Sequence, residues 1–155
     1  VLKTMNPEKV GATTFALARH VGPDAKAETK AVVLSFAASY CEPCKKELRE
    51  LKNLEAVFAK AGIVLAVVVI DLEPEGIRAM KEFAVDELAL AYPVLSDRFG
   101  VLARRYRAST LPMTVVIDPR GTVTWTNAGF AADAVPKLVS ALKIEEPRAP
   151  KRKRR

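Results

Sequence analysis

Cys41 and Cys44 are the only cysteines in the chain, and two residues separate them. They stand in the segment Ser39-Tyr40-Cys41-Glu42-Pro43-Cys44-Lys45-Lys46-Glu47. Two sulfurs at this spacing can meet at the start of a helix, where unpaired N–H groups and the helix dipole stabilise a thiolate. Such a setting lowers a cysteine pKa from about 8.5 into the range of roughly 3.5–7.5. Cys41, the N-terminal thiol, would attack a disulfide, and Cys44, one turn inside the helix, would resolve the mixed disulfide. Glu42 lies between them, and a carboxylate beside a thiolate disfavours the charged form. Modest stabilisation of the reduced pair follows, which points to a reductant rather than a strong oxidant.

Two other readings of the pair are weaker on physical grounds. A purely structural disulfide would close a loop of only about four residues and contribute roughly 2 kcal/mol by chain entropy. A structural zinc site needs four ligands, whereas the chain has two cysteines and one histidine, His20, in its N-terminal arm. No metal site is expected. His20 itself reads as a surface residue, and Trp125 as a core or hairpin residue.

The flanking elements decide how the pair is held. Ala31 to Ala38 (AVVLSFAA) is short, apolar and bounded by polar residues, so it reads as a buried strand. After Cys41 the apolar residues Leu48, Leu51, Leu54, Phe58 and Ala61 recur at three and four, which predicts one long amphipathic helix. Pro43 suits its first turn, and Gly62 can supply a left-handed stop. Ile63 to Asp71 reads as a second buried strand. Glu75 to Val85 then reads as a helix, Pro93 to Leu95 as a short extended piece and Arg98 to Tyr106 as another helix. Met113 to Asp118 and Thr122 to Thr126 read as a hairpin around Asp118-Pro119-Arg120-Gly121, whose residues suit a type I turn. Ala131 to Leu142 is the closing helix, with Pro136 marking a start near Val135 or a kink. Upstream, Phe15 and Leu17 within Val10 to Arg19 suit an edge strand or hairpin arm. Strands alternating with helices argue for an α/β sheet with parallel pairing at its centre.

With these residues in place, VVLSFAASYCEPCKKELREL resembles the thioredoxin-like proteins of the TlpA/ResA type, bacterial thiol–disulfide reductases of cytochrome c maturation. The resemblance runs from about Val10 to Leu142. It implies a thioredoxin-like fold: a central mixed β-sheet flanked by helices, an N-terminal strand extension, and an insert before the strand that follows a cis proline. The segment Thr110-Leu111-Pro112-Met113-Thr114 matches the cis-proline landmark, which implies a cis bond before Pro112 that presents the Leu111 backbone to an extended substrate. Tyr40, Glu42, Pro43, Leu111 and Pro112 are the implied substrate-binding residues. Glu47 matches the acidic residue that tunes the cysteine pair in ResA-like proteins; a solvated helix-surface glutamate reads equally well. Two departures stand out. Tyr40 replaces the usual Trp, and Ser35 stands where thioredoxin carries a buried Asp, which leaves Glu47 or water to deprotonate Cys44.

Half of the residues are hydrophobic, enough for a core without disulfide staples. The domain is expected over residues 1–146. The formal net charge of +7 is concentrated in residues 147–155, which carry six cations and no acid; removing six from seven leaves the body near +1. A general nucleic-acid surface is therefore not expected. The basic tail reads as disordered and solvated, with anionic lipid or an acidic partner as its alternatives. The longest apolar run, Ile63 to Ile70, has eight residues, against about 20 for a membrane span. The chain starts at Val1 rather than Met, so a missing leader carries no information.

The expected protein is a monomeric enzyme that reduces disulfides in exported proteins and takes electrons from an upstream thiol donor. It needs no cofactor beyond the Cys41–Cys44 pair. By resemblance it acts in the periplasm or elsewhere outside the cytoplasm, soluble or membrane-anchored. Two rival functions lack the residues they need. A peroxiredoxin-like peroxidase needs Pro-x-x-x-Thr-x-x-Cys, which is missing around Cys41. A thioredoxin-fold metal chaperone needs a longer cysteine spacing and a downstream histidine, and none follows residue 20.

Overall fold

Ile63–Val69 (IVLAVVV) has no polar side chain, and Ala31–Ala37 (AVVLSFA) has one, Ser35. Strands of this kind must be covered on both faces, the signature of a parallel pair at a sheet centre. The computed structural model, which describes residues 1–144, places them there.

In chain order the strands are β1 (Leu2–Thr4), β2 (Thr14–Phe15), β3 (Ala31–Ala37), β4 (Ile63–Val69), β5 (Val94–Ser96), β6 (Met113–Ile117) and β7 (Val123–Ala128). The helices are α1 (Pro7–Val10), α2 (Glu42–Lys52), α3 (Glu55–Ala61), α4 (Pro74–Met80), α5 (Val101–Arg105) and α6 (Ala134–Ala141). One seven-stranded sheet runs β2-β1-β5-β4-β3-β6-β7. β3 pairs in parallel with β4, and β4 with β5, while the outer pairs are antiparallel. This is the thioredoxin-like fold, with the N-terminal strands β1 and β2 extending one edge and a long insert between β4 and β6.

Side-chain alternation along β3 sorts the core into two layers. Val33 and Ala37 join Leu48, Leu51, Phe58 and both cysteines on one face. Val32, Leu34 and Phe36 join Phe15, Ala66 and Val115 on the other.

A parallel pair needs a crossover, and α2 with α3 supplies it. The single helix expected from the three-and-four periodicity is instead two segments. At the joint Asn53 and Leu54 donate to the carbonyls three residues back, Glu50 (3.1 Å) and Leu51 (3.0 Å), a local tightening that leaves the apolar stripe nearly in phase. Side chains at the joint are held from outside: Lys52 donates to Ala89 O (2.9 Å), and Glu55 accepts from Ala91 N (2.7 Å). Gly62 ends α3 at φ 74°, the left-handed stop expected of it.

Further along, the expected Glu75–Val85 helix is longer. α4 continues as a π-helical stretch over Lys81–Glu87, which keeps Met80, Phe83 and Ala84 buried. Pro136 sits in the first turn of α6, so the late start was the right alternative. Gly121 N donates to Asp118 O (2.9 Å), closing the hairpin turn. β1 and α1 had no counterpart in the sequence reading. His20, expected at the surface, is half-buried and stacks on Phe15 with ring centroids 4.9 Å apart. Burial, Lys26 and Arg19 together lower its pKa. The basic tail from residue 147 lies outside the described residues.

Phe58 is fully buried in the layer that carries the cysteines. Phe58→Ala should lower unfolding free energy by about 3–5 kcal/mol, read from urea denaturation of the oxidised protein.

Candidate active site: a dithiol pair at a helix start

β3 ends at Ala37, and four residues later Cys41 caps α2. Its backbone is extended (φ −104°, ψ 94°), and its Sγ accepts from Cys44 N at 3.2 Å. The two sulfurs are bonded as a disulfide with Cα atoms 5.3 Å apart. Pro43 fits in the first turn because an N–H there would have no helical partner. Cys41 is 8% exposed and Cys44 1%, so the N-terminal cysteine is the more accessible of the two although both are largely covered.

Glu42 lies at the surface of this arrangement. Its carboxylate is solvent-exposed and pairs with Lys45 Nζ at 3.2 Å. Water and Lys45 counter the charge that was expected to oppose a Cys41 thiolate. A preference for reduction therefore cannot rest on Glu42.

The carboxylate that does enter the core is Glu47. It is 7% exposed, and its Oε1 accepts from Thr114 Oγ1 at 2.8 Å. Burial pushes its carboxyl pKa upward; the Thr114 bond pulls the other way and Glu50 adds to the rise. The surface reading of Glu47 is thereby corrected. Ser35 and Thr114 are register partners on β3 and β6, and alternation places both on the α2 side of the sheet. With Glu47 they form a small polar island in an otherwise apolar layer, one helical turn beyond Cys44.

The Leu111–Pro112 bond is cis. Because β3 and β6 are antiparallel, with Phe36 opposite Met113, the start of β6 and the end of β3 share one end of the sheet. Leu111 packs against the layer containing both cysteines. Tyr40 is 73% exposed and borders a cleft of about 790 Å3, whose lining includes Ser39, Leu72, Arg104 and Arg107. Glu42, Pro43, Leu111 and Pro112 are not among the residues lining this cleft. Leu72, Arg104 and Arg107 escaped the sequence reading because no spacing rule joins the end of β4 to α5. Asp71 escaped it too, although it follows the C-terminal end of a parallel strand, where α/β sheets place ligands.

The AhpC/TSA family model matches residues 12–126. The chain belongs to the AhpC/TSA family. Among curated relatives, the thiol-disulfide oxidoreductase ResA of Oceanobacillus iheyensis is 31% identical over 96 residues, 62% of this chain and 48% of that protein. The chain spans about half the length of the curated relatives it matches. Among solved structures, a secreted Mycobacterium tuberculosis disulfide oxidoreductase homologous to E. coli DsbE has 24% identity and a TM-score of 0.69, covering 92% of each chain. The Xanthomonas campestris bacterioferritin comigratory protein, described for alkyl peroxide reduction, has 20% identity and a TM-score of 0.68, over 86% of this chain and 87% of its own. At these identities the two structures share the fold with this chain.

A raised Glu47 pKa means that the fold favours the protonated carboxyl. This stabilisation is complete below the ordinary value of 4.5 and is lost as pH rises through the raised one. Urea midpoints of wild type and Glu47→Gln should therefore diverge, in favour of the variant, as pH rises above 4.5. Parallel pH profiles would contradict this account. Thr114→Val, which leaves Glu47 unbonded, should cost about 1–3 kcal/mol.

Proposed function

We propose that this protein is a thiol–disulfide oxidoreductase that reduces disulfides in exported proteins, of the kind required for cytochrome c maturation. The observation that carries the reading is the Cys41–Cys44 disulfide at the N-terminus of α2, with the Cys44 amide aimed at Cys41 Sγ. The same hydrogen bond and the helix dipole would stabilise a Cys41 thiolate once the pair is reduced.

The reduced Cys41 thiolate attacks one sulfur of a substrate disulfide. A Cys41–substrate disulfide forms as the substrate S–S bond breaks, and one substrate thiolate leaves. Cys44, once deprotonated, attacks Cys41 Sγ, displaces the second substrate thiolate and restores the intramolecular disulfide. Two electrons pass to the substrate, and an upstream dithiol donor returns them. Glu47 is the base proposed for Cys44, since it is buried on the same helix one turn away and its raised pKa suits proton exchange nearer neutrality. The two sulfurs carry the electrons, so no cofactor is required.

The cleft beside Tyr40 is the proposed seat of the substrate polypeptide, with the cis-proline segment at the same end of the sheet. Relatives named ResA and the secreted disulfide oxidoreductase support action outside the cytoplasm. No helix among the described residues is long and apolar enough to cross a membrane. The peroxidase reading finds less support. Leu34 and Ala38, both buried and apolar, stand where the peroxidase pattern needs Pro and Thr.

Cys41→Ser should abolish reduction of insulin by dithiothreitol-primed protein. Cys44→Ser should accumulate a mixed disulfide through Cys41, visible on a non-reducing gel and sensitive to dithiothreitol. Peroxide consumption by the wild type without insulin reduction would overturn the assignment.

A further inference from the structure

Asp71 is an acid only 6% exposed, and burying such a group needs compensation by hydrogen bonds. Both of its carboxylate oxygens are given to one residue. Oδ2 accepts from Ser39 N at 2.9 Å, and Oδ1 accepts from Ser39 Oγ. Ser39 lies two positions before Cys41, in the segment that leads from β3 to the helix start. The sheet brings the two residues together. Ile70 N donates to Ala37 O at 3.0 Å, so the β3–β4 ladder continues one step past the strands and sets Asp71 beside the outgoing chain. A further bond, Cys41 N to Ala38 O at 3.1 Å, folds the same segment into a turn.

A third residue makes room for this arrangement. Gly76 lies inside α4, where its φ is that of an ordinary helix residue. Glycine there costs about 1 kcal/mol relative to alanine, and no left-handed backbone accounts for it. The contact does: a Cβ at residue 76 would overlap Asp71 Oδ1 and come within 2.9 Å of its Cγ. The carboxylate is thus wedged between α4 and the segment carrying the nucleophile.

We propose that Asp71 is a positioning residue for Cys41, holding Ser39 so that the Cys41 sulfur stays against the N-terminus of α2, with Gly76 providing the space. This rests on the oxidoreductase reading for its significance, yet it concerns the reactivity of one thiol and can be tested without any substrate. In a Cys44→Ser background Cys41 is the single thiol of the full chain. Its rate of alkylation by iodoacetamide at neutral pH and its ultraviolet thiolate absorbance both report how well the helix N-terminus stabilises it.

Asp71→Ala and Gly76→Ala should each slow alkylation about tenfold, the equivalent of one lost hydrogen bond of about 1.4 kcal/mol, with a matching loss of thiolate absorbance. Asp71→Asn keeps one acceptor oxygen for the Ser39 amide and should recover part of the rate. Ser39→Ala, which keeps that amide, should fall between wild type and Asp71→Ala. Circular dichroism checks that each variant is folded, and Ser39→Ala decides if Gly76→Ala is not. A charge effect alone gives the opposite pattern. Removing a carboxylate near the thiol would then speed alkylation equally in Asp71→Ala and Asp71→Asn. That pattern, or unchanged rates in folded Asp71→Ala and Ser39→Ala, overturns the proposal. Insulin reduction by the wild type tests the oxidoreductase reading separately.

Discussion

Parallel pairing of β3 with β4, residue for residue from Ala31↔Ile63 to Ala37↔Val69, joins two strands whose side chains are almost all apolar. Neither strand can leave a face in water, so helices must cover both sides of the sheet, and a right-handed crossover must carry the chain from one strand to the next. That crossover is α2 and α3. The first turn of α2 therefore lies just beyond the C-terminal end of β3, and the backbone N–H groups of that turn are the ones without helical partners. Cys41 occupies the cap and gives its sulfur to one of them. The setting proposed for redox chemistry is in this sense a by-product of how a doubly buried parallel pair has to be connected.

The same end of the sheet gathers the other polar groups. The β3–β4 ladder runs on to Ile70 and delivers Asp71 to Ser39, while the antiparallel β3–β6 ladder delivers Thr114 to Glu47 and the cis Leu111–Pro112 bond to the rim. Two acids of similar burial have different partners. Asp71 accepts from a backbone amide and a hydroxyl, whereas Glu47 has one hydroxyl partner and a pKa raised by burial. The first arrangement suits a fixed clamp. The second suits a group that exchanges a proton as the neighbouring thiols change charge.

The insert between β4 and β6 shapes the surroundings of the pair. α4 supplies Gly76 beside Asp71, and α5 with the residues after it supplies Arg104 and Arg107 to the cleft that also contains Tyr40. This one connection contributes β5 to the sheet and also shapes what can approach the cysteines, a route by which one scaffold can serve several substrates.

Much was legible in the chain itself wherever the governing interaction is local. The C-x-x-C spacing, the two apolar strands, the stop at Gly62 and the hairpin turn at Asp118–Gly121 all depend on residues within a few positions of one another, whereas the cis bond before Pro112 is implied only by the family resemblance. The periodicity of Leu48 to Ala61 located a helix but not the joint at Asn53, because a one-residue tightening barely shifts the apolar stripe and is held by contacts with residues 89–91. Only the tertiary structure decided the rest. The partner of Glu47 lies 67 residues away in sequence, and that of Ser39 lies 32. Burial of a charged side chain and the pairing that makes it tolerable belong to the packed sheet, since no spacing rule along the chain relates residues that only the strand register brings together.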